Sequence, residues 1–368
     1  MVYQRCARCV MDNASDPTIE FDERGYCNYC NNAVAYRNKK YFPDGIDRLR
    51  AIVEQIKVDS KENEFDCTIG ISGGLDSSYV LYLGAKMGLR MLAVHIDDGL
   101  DTGVAKRNIA GLCDAAHAEI QYIHPDKEQY ADLLLSFFKA GLSGVALPQD
   151  NILIRALREC TNEYGIKYLL SGSNFALEAI LEHSAGVSAK DKRHIKAIHN
   201  QFGSKPIDKL NLESIVGFYM SRLFSPVKTI LPLNYIDYNK DRAFQELADF
   251  CGFEYYGGKH HENVLTRFMQ GYYLPVKFGM DKRKSHLSSL VISGQLSRED
   301  ALAELEKPTY ESPELQNADM NLLAEYFGMT RQEFDRILEV PAKQHSDYRM
   351  SVLEKIEPCT RMFKIRKG

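Results

Sequence analysis

Ser72-Gly73-Gly74-Leu75-Asp76-Ser77-Ser78 lies between two segments of different hydrophobic period. Ahead of it, Phe65-Asp66-Cys67-Thr68-Ile69-Gly70-Ile71 reads as a short strand. Behind it, Leu75, Tyr79, Val80, Leu83 and Met87 share one face of a helix. Arg90 to Asp97 predicts a second strand around the apolar run Met91-Leu92-Ala93-Val94. Strand, helix and strand within about thirty residues have the size of a right-handed βαβ unit, which restricts the chain to folds built on a parallel sheet.

The rest of the chain extends this pattern. Helix-like segments near 102–117, 127–140 and 150–164 alternate with strand-like Ile120-Gln121-Tyr122-Ile123 and Tyr168-Leu169-Leu170. Such alternation predicts an α/β class with helices on the sheet faces. Thr229-Ile230-Leu231 is the expected last strand, followed by a helix to about Phe250. Ser188 to Lys209 is basic and polar and reads as an insertion or mobile loop. Ile46, Leu49, Ile52, Val53 and Ile56 mark an earlier helix with Asp44 as its expected N-cap. From Tyr255 onward the chain reads as helical. Ser297 with Asp300 and Thr330 with Glu333 are capping pairs, and Pro308 and Pro341 follow the helices they end.

Each residue type in the glycine turn has a use. Gly73 and Gly74 allow backbone angles closed to other residues and let a phosphate approach main-chain N–H groups. The helix N-terminus adds free donors and a favourable dipole. Ser72, Ser77 and Ser78 offer hydroxyls. Asp76 repels phosphate unless a bridging Mg²⁺ reconciles the two. The Gly-Lys-Ser/Thr ending of a Walker A loop is missing, and so is Gly-x-Gly-x-x-Gly.

Cys6-x-x-Cys9 and Cys27-x-x-Cys30 form two knuckles that together complete a tetrahedral thiolate site, with Gly25 suited to the turn before the second. Four sulfurs close the coordination shell, so the metal is expected to be structural Zn²⁺. Iron is the rival metal, and unrelated thiols or disulfides the plain alternative. Cys67, Cys113, Cys160, Cys251 and Cys359 are scattered and read as small apolar residues.

Net charge is −4, which argues against a dedicated nucleic-acid binder. No apolar run of about 18 or more residues occurs, and the first residues lack the apolar core of a signal peptide. A cytoplasmic, membrane-free protein is expected.

The string from Ser72 to Ser77 resembles the PP-loop, the pyrophosphate-binding signature of GMP, asparagine and NAD synthetases and of tRNA-modifying enzymes. That resemblance implies a HUP-like, Rossmann-type domain that binds ATP through Ser72, Gly73, Gly74, Asp76, Ser77 and Ser78. It also implies nucleotide-facing residues at His95-Ile96-Asp97-Asp98-Gly99, where His95 and Asp97 are carried over, and at Ser171-Gly172-Ser173-Asn174, where Gly172 and Asn174 are. A core histidine is the plain alternative for His95.

Together with the cysteine module, the string Tyr256-Gly257-Gly258-Lys259-His260-His261-Glu262, continuing through Thr266-Arg267-Phe268 to Lys282-Arg283-Lys284, makes the chain similar to the N-acetyl sugar amidotransferase family. The resemblance implies an enzyme of bacterial surface polysaccharide, O-antigen or nonulosonic acid biosynthesis. Its substrate would be an N-acetylated sugar or nucleotide sugar, its cofactors ATP, Mg²⁺ and structural Zn²⁺, and its product an acetamidino sugar. The implied organisation is a four-cysteine zinc module at 1–40, a linker helix at 41–63, a PP-loop ATP pyrophosphatase domain at 64–254 and a C-terminal helical substrate or partner domain at 255–368. Asp76, Lys259, His260, His261, Glu262 and Arg267 are the candidate catalytic residues. With Lys282, Arg283, Lys284 and His286 the polar cluster could hold phosphates, a carboxylate or a diphosphate, and a solvated helix face is the alternative.

An amidine needs a nitrogen donor. No cysteine here sits in a Gly-x-Cys-x-Gly elbow and residue 2 is Val, so no glutaminase nucleophile is visible. A separate glutaminase is therefore expected, resembling in the family the glutaminase and cyclase pair of histidine biosynthesis. Two competing readings stand beside this one. A tRNA-modifying PP-loop enzyme would use Lys190, Lys192, Arg193 and Lys196 on RNA, and a nucleotide-binding scaffold would bind ATP without turnover.

Overall fold

A computed structural model describes residues 2–16, 18–181, 187–258 and 260–352. Lys259 and Cys359 lie outside the described residues. The frame is one sheet of five parallel strands, β1 (Cys67–Gly70), β2 (Met91–Ile96), β3 (Glu119–Ile123), β4 (Tyr168–Leu170) and β5 (Lys228–Ile230). Their order is β3-β2-β1-β4-β5.

Strand β2 shows why the sheet is covered on both faces. All six of its residues are buried. Successive side chains of a strand point to opposite faces. Met91 and Ala93 join a core with Cys67 and Ile69 of β1 and with Leu49, Val53, Leu81 and Leu247 from the helices Ile46–Asp59, Leu75–Lys86 and Lys240–Cys251. Leu92, Val94 and Ile96 join the other core, with Tyr130, Leu134 and Phe138 of the helix Lys127–Lys139 and Ile152 and Ala156 of Leu147–Glu163. Apolar residues at every position are what a doubly covered parallel sheet requires.

The second core also takes in the C-terminal helices. Phe138 meets the rings of Phe268, Tyr273, Phe327 and Phe334 at 5.0–6.1 Å. The helical region after Tyr255 is thereby seated on the sheet through shared aromatic packing, each such pair being worth about 0.5–1.5 kcal/mol beyond its buried area.

Two expectations are corrected. The segment from Ser188 to Lys209 is not a loop: it contains the helix Lys192–Phe202, capped by Asp191, whose carboxylate accepts from the N–H groups of Arg193 and His194. His194, Ile195, Ile198 and His199 are buried. His199 Nε2 donates to Asp132 (3.0 Å), and His194 pairs with His345 (2.8 Å). Histidines counted as polar hid half of the buried face. The helix Ile46–Asp59 begins after Gly45, and Asp44 does not cap it; a further helix, Asn28–Lys40, precedes it. The expected strands and the helix after the glycine turn are otherwise present: β1 and β2 are shorter than expected, β3 begins one residue earlier, β4 is as expected and β5 lies one residue earlier.

Strand order places the site. From β1 the chain runs outward through β2 and β3, then returns to the opposite side of β1 as β4. Ligands of open α/β sheets bind at the carboxyl ends of strands where the order reverses. Here that point lies between β1 and β4, where the turns 71–74 and 171–174 leave the sheet.

Candidate active site

The glycine turn is built by close approach. Gly73 has φ +77°, and a side chain there would meet the Ala105 carbonyl oxygen at 2.8 Å. Across the switch point, a side chain at Gly172 would lie 2.9 Å from the Ser77 nitrogen. Glycine at 172 lets the 171–174 turn lie against the start of the helix Leu75–Lys86, and glycine at 73 lets the first turn lie against Ala105. Asn174 is buried behind this contact. Its Oδ1 accepts from the Leu177 N–H (2.8 Å), capping Phe175–Glu178, and its Nδ2 donates to the Gly172 carbonyl (3.0 Å).

Asp76 stands in the first turn of Leu75–Lys86 and lines a cavity of about 160 Å³ that opens to solvent. Ser72, Gly74, Leu75 and Ser77 line the cavity from the same side, with Gly172 beside them. The Tyr238 hydroxyl donates to Asp76 Oδ1 at 2.5 Å. Burial, then the charge of Asp76, pushes the Tyr238 phenol well above its usual value, so it stays protonated and holds the carboxylate. Ser78 points into the protein instead and is fully buried. Gly73 does not line the cavity, and its part is to shape the turn.

Glu262, His260, Gly258, Tyr255 and Tyr256 also line the cavity, as do Lys240, Phe244, Glu178 and His286. The Tyr256 hydroxyl accepts from the Leu75 N–H at 2.7 Å, the kind of helix-terminal donor that anions use. Glu262 Oε1 accepts from Ser72 Oγ at 3.2 Å. Burial raises the Glu262 carboxyl, while His260 at 3.8 Å, a backbone N–H and Ser72 together lower it, and the net shift is downward. His260 is in the left-handed region at φ +63°, uncommon for a side chain of this size. His261 is turned inward against Gly258, and burial lowers its pKa.

Several predicted site residues stand elsewhere. His95 is buried between the Ile71 carbonyl (2.8 Å) and Asp101 (2.9 Å) and does not line the cavity. Asp97 accepts from the Gly99 N–H at the end of β2. Arg267 forms two 2.7 Å bonds to Asp319, which also accepts from the Tyr310 hydroxyl. The two charged side chains are only 12% and 4% exposed. Removing one partner of a buried pair leaves the other charge uncompensated. Arg267→Ala is therefore expected to cost about 3 kcal/mol or more of unfolding free energy in urea. A loss below about 1 kcal/mol, the worth of a surface pair, would contradict this placement. Arg283 is occupied by Asp281 and by the carbonyls of Glu304, Leu305, Lys307 and Pro308, and Lys284 by Asp12 and Ser15. Of that basic run's neighbourhood, His286 lines the cavity.

The four predicted cysteines come together. Cys6, Cys9, Cys27 and Cys30 are fully buried, with all four sulfurs within 4.8 Å of one another. Cys6–Cys30 and Cys9–Cys27 are each 3.6 Å apart, far longer than a disulfide. A tetrahedral zinc with ~2.3 Å bonds spaces its sulfurs at about 3.8 Å, so the donor set fits that ion. Backbone N–H groups of Arg8, Cys9 and Cys27 point at Cys6 Sγ, and that of Cys30 at Cys27 Sγ, as thiolates require. The module rests on the C-terminal helices. The Val10 N–H donates to Ser288, and Arg298 to the carbonyls of Cys6 and Cys9.

Tyr238, Tyr256, Lys240, Phe244, Tyr255 and Glu178 were not among the predicted site residues. Only Tyr256 had a local signal, its place in the glycine-histidine string. No helix among the described residues is long and apolar enough to cross a membrane.

Residues 262–361 match the model of the family described as LPS biosynthesis protein WbpG-like, C-terminal domain. A curated relative, an uncharacterized protein of Methanocaldococcus jannaschii, is 23% identical over 309 residues, covering 83% of this chain and 94% of the relative. Two solved structures are also similar. NMN synthetase from Francisella tularensis is 12% identical with a TM-score of 0.29, over 56% of this chain and 92% of that one. NAD+ synthetase from Burkholderia pseudomallei is 14% identical with a TM-score of 0.31, over 61% and 94%. Structural similarity that low carries no argument about function. The region matched to that family begins at Glu262, and of the cavity lining it contains Glu262 and His286.

Proposed function

We propose that this chain, with its WbpG-like C-terminal domain, is an ATP-dependent ligase that cleaves ATP to AMP and pyrophosphate and replaces a carbonyl oxygen of an N-acetylated sugar by nitrogen. The observation that carries the reading is the meeting of two parts at one cavity. One is a glycine turn at the helix N-terminus that bears Asp76. The other is the wall contributed by Tyr256, His260 and Glu262.

The turn supplies what a pyrophosphate group needs. Ser72 and Ser77 offer hydroxyls, and the Leu75 N–H becomes available when Tyr256 yields it. Asp76, fixed by Tyr238, and a neighbouring carboxylate are the groups that would hold Mg²⁺, whose charge would offset that of the phosphates when bound. An amide carbonyl is a poor electrophile. Attack of its oxygen on the α-phosphorus of ATP forms an O–P bond and expels pyrophosphate. Ammonia then adds to the carbon, AMP departs with the oxygen, and an amidine remains after loss of a proton. Phe244 and Tyr255, whose rings meet at 5.5 Å at the side of the cavity, offer an apolar face for an adenine or a sugar ring. The LPS biosynthesis role that describes the matching family supports a place in lipopolysaccharide biosynthesis. The cysteine quartet is proposed to hold structural zinc.

The test is a panel of acetamido sugars and nucleotide sugars incubated with ATP, Mg²⁺ and either ammonium or glutamine. Pyrophosphate release with ammonium, together with the small mass decrease of exchanging O for NH, supports the proposal. A separate glutaminase predicts that glutamine fails until such a subunit is added, whereupon delivered ammonia reaches high effective concentration. Glutamine hydrolysis by this chain alone would overturn the partner proposal. Release of pyrophosphate only with RNA acceptors would favour the tRNA-modifying reading.

A further inference from the structure

Glu262 is a carboxylate where a phosphate site should repel one. Its Oε1 accepts from Ser72 Oγ at 3.2 Å, and a side chain at Gly74 would lie only 2.7 Å from that oxygen. The residue is 7% exposed and lines the cavity, and among the described residues its Oε2 has no hydrogen-bond partner. A buried carboxylate oxygen left unpaired is costly, and one facing the phosphates of ATP is costlier still.

Three changes could relieve the conflict: movement of Glu262, protonation of it, or a cation between it and the phosphates. Movement of the backbone that carries it is restricted. The Glu262 carbonyl accepts from the Thr102 N–H (2.9 Å), Asn263 forms an antiparallel bridge with Asp101, and the Val264 N–H donates to the Leu100 carbonyl (2.8 Å). Asn263 is held further by Asp98 and Asp101, to which its Nδ2 donates at 3.3 and 3.2 Å. The backbone that carries Glu262 is thus tied to the loop after β2, next to the glycine turn. Protonation is opposed by the surroundings of Oε1, where the Ser72 hydroxyl donates to it and the His260 imidazole stands 3.8 Å away, an arrangement built around an acceptor. The cation is left. Asp76 is another carboxylate of the same cavity, oriented by the Tyr238 hydroxyl at its Oδ1.

We propose that Glu262 is a second carboxylate ligand, with Asp76 of the same cavity, of the divalent cation that accompanies ATP. The inference rests on the proposed ATP chemistry and deepens it. It gives the WbpG-like domain a part in nucleotide binding: the cation would join the glycine turn to a residue 190 positions away in sequence.

The test uses the full chain with Mn²⁺ as the probe, counted by electron paramagnetic resonance, and α,β-methylene-ATP, which cannot be cleaved at the α,β position. In the wild-type chain Mn²⁺ should bind more tightly with the nucleotide than without it. Glu262→Gln should weaken Mn²⁺ binding in the nucleotide complex on the order of tenfold or more. Binding of the nucleotide in EDTA should be unchanged or tighter, since a repelling charge has gone. Glu262→Asp, which keeps the charge, should fall between the two. Mn²⁺ affinity within about twofold of wild type in Glu262→Gln would overturn the assignment. So would an equal loss of nucleotide binding in EDTA, which is the signature of a merely structural residue. If Glu262→Gln does not fold, Glu262→Asp decides alone, and unaltered Mn²⁺ affinity there overturns the proposal. A wild-type chain that binds the nucleotide neither with Mn²⁺ nor in EDTA would instead remove the ATP reading itself.

Discussion

Asp76→Ala is expected to lower ATP-dependent turnover by about 10²-fold or more while leaving the fold intact. The residue sits in the first turn of its helix and faces the cavity, where the Tyr238 hydroxyl meets its carboxylate. What is lost is a fixed negative group beside the phosphates. Tyr238 fixes that group, so Tyr238→Phe should show a smaller fall in the same direction. Measurement of pyrophosphate release at saturating ATP separates the two variants, and circular dichroism checks the fold. Near-normal turnover in Asp76→Ala would mean that the cavity is not where ATP reacts.

Cys27→Ser is expected to remove most of the bound metal, from about one zinc per chain to little or none, and to unfold the N-terminal module. The four sulfurs are fully buried and closer than any reduced, uncoordinated set would hold if charged. Metal binding in such modules is itself folding free energy, about 10–16 kcal/mol in isolated zinc-finger peptides. The loss should spread, because the module contacts the helix Arg283–Ser293 through Val10 and Ser288 and through Asp12 and Lys284. Elemental analysis together with thermal unfolding gives the result. A purified wild-type chain with no metal and four readily alkylated thiols would contradict it.

What could be read in the sequence was local. The glycine turn, the strands beside it and the cysteine pairs each declare themselves within a few residues, because strand period, turn chemistry and ligand spacing are short-range. The alternation of helix and strand then implied the parallel sheet, which the strand pairing shows. What could not be read was partnership across the chain. Arg267 resembles a phosphate ligand until Asp319, 52 positions on, is seen to hold it. Lys284 resembles another until Asp12, 272 positions back, is seen beneath it. Tyr238 carries no signal in its own neighbourhood, yet it orients Asp76 from 162 positions away. The buried helix Lys192–Phe202 was hidden for a related reason: His194 and His199 are polar by type, and burial with Asp132 and His345 makes them part of the core.

The position at which ATP is cut tests the central claim most directly. ATP labelled separately in its α- and γ-phosphates should be incubated with the chain, Mg²⁺, ammonium and the acetamido sugar panel, and the labelled products separated. Cleavage between the α- and β-phosphates predicts AMP and pyrophosphate in equal amounts, formed only when an acceptor is present. ADP with orthophosphate would contradict it.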